Sequence, residues 1–150
     1  LHNFSGLSEN GIIMSKMYKR LKIESRIANL RIIENAIDEI TGAVGVKQDD
    51  YGKIMVAALE AVNNAITHGN KSDPQKLVDV EIAFKDNDIT ITVTDEGNGF
   101  SPEKIPDPTL PENIEELSGR GVFLMSKLAD SIKFNEKGNS VTMSFKEVIN

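Results

Sequence analysis

From about Asp49 to Thr67 the chain reads as one helix with apolar residues on nearly every side: Ile54, Met55, Val56, Ala57, Ala58, Leu59, Ala61, Val62, Ala65 and Ile66. A helix without a polar face has to be sandwiched between other elements. This constrains the fold more than any other stretch, because the rest of the chain must supply a layer on each side. Glu60 and Asn64 interrupt the apolar surface, and their four-residue spacing projects both from one face, with Asn63 one position off it. A carboxylate and an amide in such surroundings need partners. The bland account is bonding to a neighbouring loop; the functional one is a ligand.

The flanking segments provide the layers. Tyr18–Ser25 alternates polar and apolar residues as a strand does, and Ser25 could cap the helix that follows. In that helix Leu30, Ile33, Ile37 and Ile40 form one stripe, ended by Gly42 and Gly45. Beyond the sandwiched helix, which His68-Gly69-Asn70 closes with Gly69 as C-cap, two alternating runs form a hairpin. The runs are Leu77–Lys85 and Asp88–Asp95, turning at Asp86-Asn87-Asp88. Residues 96–118 hold Gly97, Gly99 and four prolines, a long irregular loop. Gly119-Arg120-Gly121 then opens a helix, and strands at about Ser131–Asn135 and Ser140–Val148 turn at Lys137-Gly138-Asn139. The order β-α-α-β-β-loop-α-β-β predicts an α+β two-layer sandwich, a mixed, mostly antiparallel sheet with helices on one face. At 150 residues this is one domain, 18–150, behind an N-terminal extension 1–17 expected to be partly disordered.

Composition removes several functions. There are no cysteines, which excludes disulfides, thiol catalysis and thiolate zinc sites and agrees with a cytoplasmic setting. Two histidines make a multi-histidine metal site improbable. The net charge of −6 (17 basic, 23 acidic) has the wrong sign for nucleic acid, and no apolar run reaches membrane-spanning length. The N-terminal segment lacks the features of a signal peptide.

Two further motifs carry chemistry. Asp95-Glu96-Gly97-Asn98-Gly99 follows a strand, and the alternation of Ile89, Ile91 and Val93 points Asp95 inward. An inward Asp invites a hydrogen-bonded ligand, and the glycines let backbone approach it closely. The alternative is an ordinary Gly-rich turn. Gly119-Arg120-Gly121 lies at a helix N-terminus, where unpaired N–H groups favour anions. It fits neither the Walker A nor the Rossmann pattern.

In order and spacing, Glu60-Ala61-Val62-Asn63-Asn64-Ala65, Asp95-Glu96-Gly97-Asn98-Gly99-Phe100 and Gly119-Arg120-Gly121-Val122-Phe123-Leu124-Met125 resemble the N box and the two G boxes of the GHKL (Bergerat-fold) ATPases. The resemblance spans residues 18–148 and is strongest to the anti-sigma factor serine/threonine kinases, a branch of histidine-kinase-like ATPase domains. It implies that Asn64 holds Mg²⁺ against the triphosphate of ATP and that Glu60 is the general base. It implies that Asp95 accepts the adenine amino hydrogen and that Gly97 and Gly99 shape the wall beside the base. Gly119 and Gly121 would offer lid N–H groups to the phosphates, with Arg120 neutralising charge. A Thr near the last strands often contacts the adenine site in this family, which leaves Ser140 and Thr142 as candidates. His68 also matches the branch and is read as structural. The implied partners are a sigma factor, a STAS-type antagonist phosphorylated on Ser or Thr, and a second copy of the chain. The alternatives are an ATP-dependent interaction module with little or no transfer, or a detached histidine kinase catalytic domain.

Overall fold

Alternation decides the sheet. In strands β3 (Leu77–Lys85), β4 (Asp88–Thr94) and β6 (Ser140–Phe145), every second residue is apolar and buried, and β2 (Lys16–Glu24) follows the same alternation with a buried Lys19 and a partly buried Leu21 on the inward side. The computed structural model describes residues 2–5, 16–98 and 121–150. Strand β1 (His2–Ser5) lies at one edge and β5 (Ser131–Phe134) at the other, in the order β1-β2-β3-β4-β6-β5. All five pairings among the described residues are antiparallel. Residues 2–5, which the sequence assigns to an N-terminal extension, thus add an edge strand.

The register lines the apolar residues into rows. One runs Met17, Phe84, Ile89, Phe145, and another Leu21, Val80, Val93, Val141, Phe134. The row between them joins Ile82, Ile91, Met143 and Ile132 but starts with Lys19, whose side chain is buried and ion-paired to Glu39 of helix α1 (Leu30–Val44). Glu39 is half-exposed, so the lysine stem lies along apolar surface while its charge reaches toward water. The opposite sheet face is polar, as an antiparallel sheet with one solvated side should be. There Arg20 pairs with Asp79, Thr92 with Thr142, and Thr94 with Ser140.

Among the described residues, three helices cover the apolar face. Helix α1 buries Ile33, Ala36, Ile37, Ile40 and Thr41, and it ends at Gly45, which has a left-handed φ of 78°. Gly42 does not end it. Helix α2 (Gln48–Asn64) packs against α1, α3 (Val122–Leu128) and the sheet, which is why Ile54, Ala57, Ala58, Ala61 and Val62 are all buried. Val56 remains 44% exposed, so the sandwich leaves one flank of α2 open.

Two expectations about element ends change. Ser25 does not cap α1: its hydroxyl donates to the Lys76 carbonyl, and a short 3₁₀ turn at Ile27–Asn29 leads into the helix. Gly69 is not a left-handed cap either. Helix α2 widens into a π-turn over Ala65–Gly69, closed by Asn70 N–H donating to the Ala65 carbonyl. Such a turn inserts a residue into the helical register and carries the following chain toward the end of β4. The hairpin turn itself is two residues, Asp86-Asn87, both left-handed (φ 51° and 71°), which matches the twist of the strands it joins.

Candidate functional site

A cavity of about 310 Å³ opens between α2, α3 and the ends of β4 and β6. Its apolar wall comes from Ala61, Ala65, Val93, Val122, Met125 and Val141, so the face of α2 that packs on the sheet continues directly into the pocket. Asn64 and Asp95 both line it.

At one end, Asp95 is held on every side. Its backbone N–H donates to the Asn139 carbonyl at 2.9 Å, and its carbonyl accepts the Asn139 side-chain amide at 2.8 Å. Asn139 is fixed in turn by Asn135, whose Oδ1 accepts the N–H groups of Gly138, Asn139 and Ser140. The Asp95 carboxylate accepts the Gly97 N–H at 2.8 Å, which fixes its rotation. Two glycines make this approach feasible. A Cβ on Gly69 would sit 2.2 Å from Asp95 Oδ2, and one on Gly97 would sit 2.1 Å from the Gly69 carbonyl oxygen. Gly69 is therefore required by close approach to a side chain, which replaces the helix-capping reason inferred from sequence.

At the other end, Glu60 and Asn64 leave α2 together and meet the start of α3. Gly121 caps that helix with φ 67°, and a Cβ there would lie 2.5 Å from Glu60 Oε2 and 3.5 Å from Asn64 Nδ2. Glu60 does not line the cavity itself; it stands beside Asn64 at its margin. Both side chains are half-buried. Gly99, Gly119 and Arg120 lie outside the described residues.

Between Ser140 and Thr142, only Ser140 lines the cavity, bonded to Thr94 at 2.8 Å; Thr142 pairs with Thr92 one step along the sheet. His68, Lys71, Asn98 and Asn139 also line it. Lys71 and Ser72 are consecutive non-glycine residues with left-handed φ (53° and 58°), uncommon for such side chains, and they turn the chain back after the π-turn. Sequence reasoning passed over Lys71 and Asn139 because each sits in a segment that reads as an ordinary turn. The Gly-rich turn beside Asn139 was the available signal.

The model of the histidine kinase-like ATPase domain matches residues 23–145, which include Glu60, Asn64, Asp95 and Gly121. The chain belongs to that family. The anti-sigma F factor of Oceanobacillus iheyensis is 30% identical over 146 residues, covering 94% of this chain and 87% of its own. The serine-protein kinase RsbW of Bacillus subtilis is 27% identical over 134 residues, covering 85% and 84%. Among solved structures, a Mycobacterium tuberculosis chain with RsbU and RsbW domains shares the fold at a TM-score of 0.63 and 17% identity. That match covers 86% of this chain and 31% of the longer one. Among the described residues, no helix is long and apolar enough to cross a membrane.

Proposed function

We propose that this family member is a cytoplasmic serine/threonine protein kinase of the anti-sigma factor type, passing the γ-phosphoryl group of ATP to a Ser or Thr of a small STAS-type antagonist. The observation that carries the reading is the meeting of Glu60, Asn64 and Gly121 at one end of a cavity whose other end is Asp95. A nucleotide needs that separation of a base-reading group from a phosphate-handling group. Relatives named serine-protein kinase and anti-sigma F factor support the same reading.

In this reading the fixed Asp95 carboxylate accepts the adenine amino hydrogen, and guanine, with an oxygen in place of that donor, is disfavoured. Gly97 and Gly99 form the wall beside the base. Gly119 and Gly121 offer N–H groups to the phosphates, and Arg120 balances their charge. The Asn64 amide oxygen suits Mg²⁺, a hard cation that keeps most of its waters and takes few protein ligands. Asn64 lines the cavity, and the missing side chain at Gly121 lets α3 begin directly against Glu60 and Asn64, so the amide stands where a metal–phosphate group would be held. Bound there, Mg²⁺ supplies charge neutralisation along the β- and γ-phosphates.

Glu60 lies one helical turn from Asn64 and takes the proton of the attacking hydroxyl. The hydroxyl oxygen bonds to the γ-phosphorus, the bond from that phosphorus to the β–γ bridging oxygen breaks, and ADP departs with the electron pair. The proposed partners are a sigma factor, the antagonist and a second copy of the chain.

The test uses γ-labelled ATP with lysate from the source organism. Label on Ser or Thr of a small protein is expected, lost with Glu60→Ala while calorimetric ATP binding persists. Undiminished labelling by Glu60→Ala would refute the catalytic role.

A further inference from the structure

Asn70 is fully buried, yet it is polar and lies outside the three motifs that carry the nucleotide reading. Its side chain joins three segments that are distant in sequence. Oδ1 accepts the Glu96 N–H at 2.8 Å, while Nδ2 donates to Ser25 Oγ at 2.8 Å and to the Leu77 carbonyl at 3.1 Å. The amide orientation is unambiguous, because a backbone N–H can only donate and a carbonyl can only accept. The Ser25 hydroxyl donates to the Lys76 carbonyl at 2.7 Å, leaving its oxygen to accept from Asn70. Glu96 is anchored a second time, its carboxylate accepting the Leu77 N–H at 2.5 Å.

We infer that Asn70 is a positioning residue for base recognition: it sets the Asp95 carboxylate through the Glu96 N–H and couples the nucleotide pocket to the β2–α1 junction at Ser25. The peptide between Asp95 and Glu96 is gripped from both ends, its carbonyl by Asn139 and its N–H by Asn70. Gly69, which lies against the Asp95 carboxylate, is the residue directly before Asn70, so one anchor sets both sides of the contact. No other amino acid combines an acceptor and two donors in so short a side chain. Once Asn70 is lost, the loop at 95–97 keeps its chain path but not its angular precision. Hydrogen bonding to the base then weakens, while binding of the phosphates is unaffected.

This inference rests on the proposed nucleotide reading, so the experiment separates the two. Kd values are measured for ATP, for purine ribonucleoside triphosphate (which lacks the amino group) and for inorganic tripolyphosphate, all with Mg²⁺. They are taken on wild type, Asp95→Ala, Asn70→Ala and Ser25→Ala, at a temperature where circular dichroism shows each folded. A hydrogen bond to a charged group corresponds to a preference for ATP over the purine analogue of about tenfold or more in wild type. Asp95→Ala removes that preference. Asn70→Ala is expected to bring it within about threefold of unity with tripolyphosphate affinity unchanged, and Ser25→Ala to lower it partway. A wild type without preference overturns the base reading itself. A wild-type preference that Asp95→Ala abolishes and folded Asn70→Ala retains overturns the positioning role alone. If Asn70→Ala does not fold, Ser25→Ala decides, and an undiminished preference there overturns the inference.

Discussion

The two ends of the cavity are built on opposite principles. Around Asp95, backbone and side chains interlock: Asn139 and Asn70 hold the peptide groups, the Gly97 N–H holds the carboxylate, and Gly69 packs against it without a side chain between. Around Glu60 and Asn64, two half-buried side chains reach from one helix toward the left-handed residue that begins another. The first end is fixed before any ligand arrives. The second carries groups on rotatable stems, suited to following a reacting phosphoryl group. Recognition calls for rigidity and transfer for adjustment, and one helix serves both because its π-turn separates them.

Substitutions can break or sharpen this contrast. The largest effect belongs to Glu60→Gln, which should slow phosphoryl transfer by about 10²- to 10⁴-fold while calorimetric ATP affinity changes less than about threefold. A parallel loss of affinity would mean that the two ends are not separable. Next, Asp95→Ala should weaken ATP binding in calorimetry by about tenfold or more, to the level of the purine analogue, and Gly69→Ala should come close to it, since its methyl group would collide with a carboxylate that cannot swing away.

Gly121→Ala is the matched probe at the adjustable end. The left-handed backbone costs about 1–2 kcal/mol of stability. The Glu60 carboxylate, at the end of a longer stem, can rotate out of the way. Thermal melts should show that loss, and ATP affinity should suffer less than in Gly69→Ala; the reverse ranking would invert the assignment of the rigid end. The smallest effect is expected from Asn64→Ala, which should weaken ATP binding by about tenfold with Mg²⁺ and hardly at all with chelator. Equal losses in the two conditions would remove the metal role.

Much of this architecture is legible along the chain because it depends on local period. Alternation in Val78–Phe84 and Ile89–Val93 gives the hairpin and its inward face, and the all-round apolar helix gives the sandwich. The spacing of Glu60 and Asn64 and the inward position of Asp95 follow from the same periods. What escapes is whatever depends on two segments meeting. Gly69 after a helix reads as a cap, and only the arrival of Asp95 from β4 reveals its other purpose. Asn70 and Asn139 read as turn formers for the same reason, since their partners lie 26 and 44 residues away. Lys19 is inconspicuous in an alternating strand until Glu39 of α1 is seen beside it. The pairing of residues 2–5 with β2 has no periodic signature, as four residues are too few to display one.

The strand order has a consequence for synthesis. Among the described strands β6 comes last in the chain, yet it is inserted between β4 and β5. Until it leaves the ribosome, the backbone of β4 is an unpaired border, open to another chain. The Asp95 peptide likewise lacks Asn139 until that hairpin closes. A nascent chain that already contains every residue of the base-reading loop is thus still unable to fix it, and nucleotide capture has to wait for the β5–β6 hairpin.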